Sequence, residues 1–112
     1  MLATPLKVCL SGATGGVGRC LARAILARDD FILDSAVART AAGRDLGEAI
    51  GQEPCGVVVT VDLAAALDRK PDVVIDYTHP SSRMANVMAA VERRVPMVIG
   101  TTGFSSAEFE EI

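Results

Sequence analysis

The residues best suited to chemistry in this chain fall into short runs, each placed just after an apolar stretch. The first is Gly12-Ala13-Thr14-Gly15-Gly16-Val17-Gly18, with glycines at a GxxGxxG spacing. A turn of this kind between a strand and a helix leaves backbone N–H groups free at the helix start, where phosphate oxygens approach with no side chain in the way. The helix end itself favours an anion by about 0.3–2 kcal/mol, depending on burial. The chemistry it predicts is the holding of a dinucleotide pyrophosphate; the competing reading is a glycine-rich turn that binds nothing. A bulky side chain at Gly12 or Gly15 is expected to block the nucleotide while leaving the fold largely intact.

The second run closes an apolar stretch as Val37-Ala38-Arg39. Dinucleotide sites that accept NAD usually offer an acid to the ribose hydroxyls at this point. Asp34 lies too early and is expected to face along the strand, so no acid stands at the tip. Arg39 could instead fork onto a 2′-phosphate, a contact worth roughly 1.5–3 kcal/mol or one to two orders of magnitude in affinity. NADPH is therefore the expected cofactor, with NADH the weaker one; a solvated arginine at the start of a loop is the alternative.

Two further runs are Asp76-Tyr77-Thr78-His79-Pro80 and Gly100-Thr101-Thr102-Gly103. Asp76 closes an apolar strand, where a carboxylate is expected to take nearby backbone N–H groups rather than act in catalysis. His79 is the only histidine and is expected to be a cap or surface residue rather than a general acid. Thr101 and Thr102 either line a ligand or satisfy a tight turn between two glycines. Glu108, Glu110 and Glu111 are expected on a solvated helix face.

The elements that must position these runs alternate along the whole chain without repeats or long linkers, which is the pattern of a parallel sheet with covering helices. Strands are predicted at 7–10, 31–38, 57–61, 73–76 and 95–99. The first helix shows Val17, Leu21, Ala24 and Ile25 at the spacing of one buried face, with Arg19, Arg23 and Arg28 on the other. Residues 40–56 read as a loop with at most a short helix near 46–50. Asp62 is the expected N-cap of a helix through Leu63 and Leu67, ended by Pro71. A helix over 80–93, with proline near its start, buries Met84, Val87, Met88 and Val91. A last helix spans 105–112. The fold class is α/β, a Rossmann-type doubly wound parallel sheet, which places a ligand outside the carboxyl ends of the strands.

At 112 residues, half of them hydrophobic, the chain suits one domain burying roughly two-thirds of its unfolded surface. A net charge of −3 with scattered basic residues argues against nucleic-acid or anionic-membrane partners. No run is apolar enough to span a bilayer and residues 1–6 lack a secretory pattern, so the protein reads as cytoplasmic. Three widely spaced cysteines, Cys9, Cys20 and Cys55, match no metal pattern and are expected to be reduced, with Cys9 and Cys20 small buried side chains. No metal site is expected. With no tryptophan and 4% aromatics, a stacking platform for bases is disfavoured.

The runs at 12–19, Arg39, 76–80 and Val98-Ile99-Gly100-Thr101-Thr102-Gly103-Phe104, in this order and spacing, together resemble the 4-hydroxy-tetrahydrodipicolinate reductase (dihydrodipicolinate reductase) family of lysine and diaminopimelate biosynthesis. The resemblance covers essentially the whole chain. It implies that Gly12, Ala13, Thr14, Gly15, Gly16 and Val17 wrap the pyrophosphate and that Arg39 meets the adenosine end. Gly100, Thr101 and Thr102 would line the nicotinamide side, with Tyr77 and Thr78 beside the cofactor. The family commonly carries Arg where this chain has Gly16 and an acid where it has Ala38, which again favours NADPH. It also continues into an α+β domain that holds a dicarboxylate substrate and the proton-donating groups. No catalytic residue is therefore expected within 1–112, which reads as a truncated cofactor domain that turns over poorly alone, from a homo-oligomeric enzyme. The remaining readings are the cofactor domain of another amino-acid dehydrogenase, a nucleotide-binding module without chemistry, and, least favoured, an inert scaffold.

Overall fold

The computed structural model describes residues 4–78 and 80–100. Five parallel strands, β1 (Leu6–Ser11), β2 (Phe31–Val37), β3 (Val59–Thr60), β4 (Val73–Asp76) and β5 (Met97–Ile99), form one sheet in the order β3-β2-β1-β4-β5. Between them run α1 (Gly16–Leu26), α2 (Leu46–Ala49), α3 (Leu63–Asp68) and α4 (Arg83–Glu92), the last entered through a single 3₁₀ turn, Pro80–Ser82. The chain moves outward from β1 to β3 and then returns to build on β1's other side, so a crevice opens at the carboxyl ends of β1 and β4. This is the doubly wound α/β architecture the alternating pattern predicted.

Alternation along β1 divides the core between the two faces of the sheet. Val8 and Leu10 pack with Ala22 and Ile25 of α1 and with Leu46 and Ile50 around α2. Cys9 points the other way, beside Val74, Leu63, Leu67 and Ala90. Cys9 is fully buried, and that burial pushes its thiol up to about 11, so it remains a small apolar filler. Cys20 is exposed on α1, contrary to the expectation of burial.

Helix α1 is rotated from the face its apolar spacing predicted. Gly18, Ala22 and Ile25 are buried, Leu21 is half-buried and Ala24 is exposed, while Val17 keeps 52% of its surface. The cause is Gly18, where an added Cβ would overlap the Gly12 carbonyl; the helix approaches the turn through its glycine, and Val17 swings outward. Helix α4 departs similarly. Val87 and Ala90 are its buried residues, Met84 and Met88 are half-buried, and Val91 is 47% exposed.

Strand β2 carries a bulge. Val8 pairs with Leu33 but Cys9 pairs with Ser35, leaving Asp34 as the extra residue. Arg69, the C-cap of α3, forks onto it, with Nε 3.2 Å from Oδ2. Strand β3 is two residues rather than the predicted five, because residues 56–58 fold back toward α2. Leu46 N–H donates to the Val57 carbonyl at 2.8 Å, and Asp45 and Val58 form an isolated antiparallel bridge. The short α2 falls where predicted and is capped by Asp45, which accepts from Glu48 N–H. Asp62 caps α3 as expected, accepting from Ala65 N–H. No helix among the described residues is long and apolar enough to cross a membrane.

Candidate cofactor site

Backbone bonds gather the rim turns before any side chain takes part. Gly12 and Ala13 N–H groups both donate to the Val37 carbonyl, at 2.8 and 3.1 Å, fastening the turn after β1 to the end of β2. Tyr77 N–H donates to Ser11 O and Gly100 N–H to Asp76 O, each at 2.9 Å, so the turns after β4 and β5 join the same ridge. Gly12 has φ +83 and its missing side chain admits the Tyr77 carbonyl, since a Cβ there would lie 2.6 Å from that oxygen. A bulky residue at Gly12 would therefore strain the fold itself, which corrects the expectation that it would spare it. Gly15 is the cleaner position, with only the Gly12 carbonyl at 3.4 Å from an added Cβ. Gly16 faces open space.

The helix start is prepared for an anion. Gly15 is the N-cap of α1 and brings no capping side chain. Among the described residues, the N–H groups of Gly16, Val17 and Gly18 donate to no carbonyl, while Arg19 N–H is the first to find one, at Gly15 O. These are the orphan donors of a helix N-terminus, and here they open onto the glycine turn. Such a set fits a pyrophosphate. Arg19 reaches back, its Nη2 3.0 Å from Thr14 O, bracing the turn from the side.

A cleft of about 180 Å³ lies over this turn, lined by Gly12, Thr14, Gly15, Ala38, Arg39, Thr40, Tyr77 and Thr78. Six of these are residues singled out from the sequence; Ala38 and Thr40 join them. A smaller recess of about 90 Å³ adjoins it, sharing Arg39 and Thr78 and adding Val61, Ser82 and Asn86 among its walls. Thr14 Oγ1 and Thr40 Oγ1 are hydrogen-bonded at 2.9 Å across the cleft, and Asn86 Nδ2 donates to Thr78 Oγ1 at 3.0 Å. Arg39 Nη2 donates to Ser82 Oγ at 2.5 Å. Thr40, Ser82 and Asn86 were missed by the sequence reading; Thr40's adjacency to Arg39 was the one signal available.

The Tyr77 ring lies where a Gly100 side chain would be, which explains the glycine at that position and joins the turns after β4 and β5. Asp76 is fully buried and its Oδ1 accepts from Thr78 N–H at 3.2 Å, as expected of a strand-closing carboxylate. Ala13 is buried and Val17 stands exposed at the start of α1, and neither side chain lines the cleft. Thr101, Thr102 and His79 lie outside the described residues, as does the helix predicted over 105–112. Among the described residues no group of His, Cys, Asp or Glu could hold a metal ion.

A parallel sheet reversing its order beside a glycine turn, with free amides at the following helix, defines a Rossmann-like α/β domain. The chain matches the family model described as "Dihydrodipicolinate reductase, N-terminus" over residues 6–112, and it belongs to that family. It is 41% identical over 118 residues to the 4-hydroxy-tetrahydrodipicolinate reductase of Synechococcus elongatus, covering 99% of this chain and 43% of that protein. Against the reductase of the same name from Moorella thermoacetica the identity is 38%, covering 100% and 42%. Among solved structures, a dipicolinate-bound dihydrodipicolinate reductase from a Paenisporosarcina species superposes with a TM-score of 0.78 at 25% identity, covering 96% of this chain and 42% of that one. An aspartate semialdehyde dehydrogenase with NADP from Candida albicans, at 18% identity and a TM-score of 0.74, shares the fold, with 88% and 30% covered. The chain thus spans less than half the length of the curated relatives it matches.

Proposed function

We propose that this chain is the cofactor-binding domain of a cytoplasmic 4-hydroxy-tetrahydrodipicolinate reductase, an oxidoreductase of lysine and diaminopimelate biosynthesis, and that its cofactor is NADPH, with NADH bound more weakly. The supporting observation is the set of unengaged amides at Gly16, Val17 and Gly18, which directly follow a turn whose Gly12, Thr14 and Gly15 line one cleft with Arg39. In this reading the turn from Gly12 to Val17 holds the pyrophosphate, Arg39 meets the 2′-phosphate, and Tyr77, Thr78 and Gly100 lie along the nicotinamide half with Thr101 and Thr102. When bound, the nicotinamide supplies the hydride; the chain's own residues orient it toward the acceptor. The dicarboxylate substrate, the proton donor and the contacts of a homo-oligomer belong to the part of the relatives' length that this chain does not span.

The names carried by the curated relatives support the reductase reading over another dehydrogenase with this fold. Calorimetric titration of NADPH and NADH tests the cofactor assignment. NADPH is expected to bind more tightly, and Arg39→Ala is expected to remove about one to two orders of magnitude from NADPH affinity alone. Equal affinities in the unaltered chain would remove Arg39 from this role.

A further inference from the structure

Ser82 stands at the N-cap of α4, where a serine hydroxyl ordinarily accepts from a backbone N–H two or three residues on. Its side chain makes no such bond. The backbone at Ser82 is already helical, with φ −100 and ψ −12, rather than extended as a capping residue would be. The hydroxyl is turned instead to Arg39, 43 positions away in sequence, and accepts from its Nη2. Ser82 closes the 3₁₀ turn that runs directly into α4, so its hydroxyl is not needed as a helix cap and makes a contact across the rim instead.

The choice of partner matters for the charge. Arg28, Arg69 and Arg93 each face an aspartate, whereas Arg39 forms no ion pair among the described residues. A carboxylate at position 82 would orient the guanidinium and cancel its charge; a hydroxyl orients it and leaves the charge available to an anion. Because Ser82 Oγ accepts from Arg39, its own hydrogen is free to be donated elsewhere. Arg39 lines both the cleft over the glycine turn and the recess that Ser82 and Asn86 help to wall, so the hydroxyl holds it at the junction of the two.

We infer that Ser82 is a positioning residue for nucleotide selectivity, pre-orienting the Arg39 fork toward the 2′-phosphate so that less of the side chain's freedom is lost when NADPH binds. The inference rests on the proposed role of Arg39. Its test is calorimetric titration of NADPH and NADH into the full chain and its Ser82→Ala, Ser82→Thr and Arg39→Ala variants, with thermal melts of each. Ser82→Ala should lower the ratio of NADPH to NADH affinity roughly two- to tenfold, the cost of ordering one long side chain on binding. Ser82→Thr should restore the ratio, and the melting temperature of Ser82→Ala should hold because no cap bond is lost. If Arg39→Ala abolishes the preference but Ser82→Ala leaves it intact, the inference fails while the Arg39 assignment stands. A preference that survives Arg39→Ala removes both. Equal weakening of both nucleotides by Ser82→Ala, with a lowered melting temperature, would show a structural role only and overturn the inference.

Discussion

Thr14 and Thr40 share a hydroxyl–hydroxyl hydrogen bond of 2.9 Å that joins the glycine turn after β1 to the residue following Arg39. Two halves of the proposed cofactor site, the part for the pyrophosphate and the part for the adenosine end, are thereby held at a fixed separation. Thr14→Val and Thr40→Val should each weaken NADPH binding by about two- to tenfold, the range expected for one hydrogen bond of about 0.5–1.5 kcal/mol. The double variant should be little worse than either single one, because both remove the same interaction. Titration calorimetry over the full cycle checks this; additive losses would mean that the two hydroxyls act separately.

Gly18 and Gly16 lie two residues apart on α1 and should respond oppositely to the same change. A methyl at Gly18 would overlap the Gly12 carbonyl, whereas one at Gly16 meets nothing within 4 Å. Gly18→Ala should cost about 1–3 kcal/mol of stability through overpacking. Gly16→Ala should stay within about 0.5 kcal/mol of the unaltered chain. Urea denaturation of the two variants measures both, and equal effects would contradict the close approach of α1 to the turn.

Asp45 organises the segment between β2 and β3. Its carboxylate accepts from Glu48 N–H at 3.1 Å, Gly56 N–H at 2.7 Å and Cys55 N–H at 3.0 Å. Burial works to raise its pKa, but the N–H groups of Cys55, Glu48, Gly56 and Gly47 together outweigh it and hold the carboxyl below its ordinary value of 3.8. A lowered folded value means that the contribution is complete above pH 3.8 and is lost as the pH falls through the folded value. Asp45→Asn should therefore flatten the fall in melting temperature as the pH is taken down through 3.8 and below, relative to the unaltered chain. Thermal melts across that range decide it, and superimposable acid limbs would exclude Asp45 as a contributor.

How much of this was legible from residues follows from the physics of each element. The sheet class, the glycine turn and the Asp62 cap were readable, because strand runs, turn glycines and N-cap residues act through their immediate neighbours in sequence; the Asp45 cap was not read, because its helix is a single short turn within a glycine-rich loop. The face of α1 was not. Its apolar spacing pointed to Val17 and Ala24, but Gly18 must approach Gly12, and that requirement appears only once β1 and α1 are packed together. The bulge at Asp34 was hidden for a related reason: it is defined by the pairing with β1, and it shifts every later residue of β2 against a simple alternation. Thr40, Ser82 and Asn86 escaped notice because their partners Thr14, Arg39 and Thr78 come from other turns of the rim. The truncation of β3 likewise depends on contacts made by Leu46 and Asp45 from another part of the chain.

The central claim is that unengaged amides at the start of α1 hold a nicotinamide dinucleotide, and calorimetric titration of NADPH into the unaltered chain and Gly15→Leu tests it most directly. Circular dichroism of both proteins should coincide, since a Cβ added at Gly15 meets only the Gly12 carbonyl, at 3.4 Å. The account predicts saturable binding to the unaltered chain and none detectable to Gly15→Leu, whose side chain would hold the pyrophosphate away from the amides. Undiminished NADPH affinity in the folded Gly15→Leu variant would contradict it.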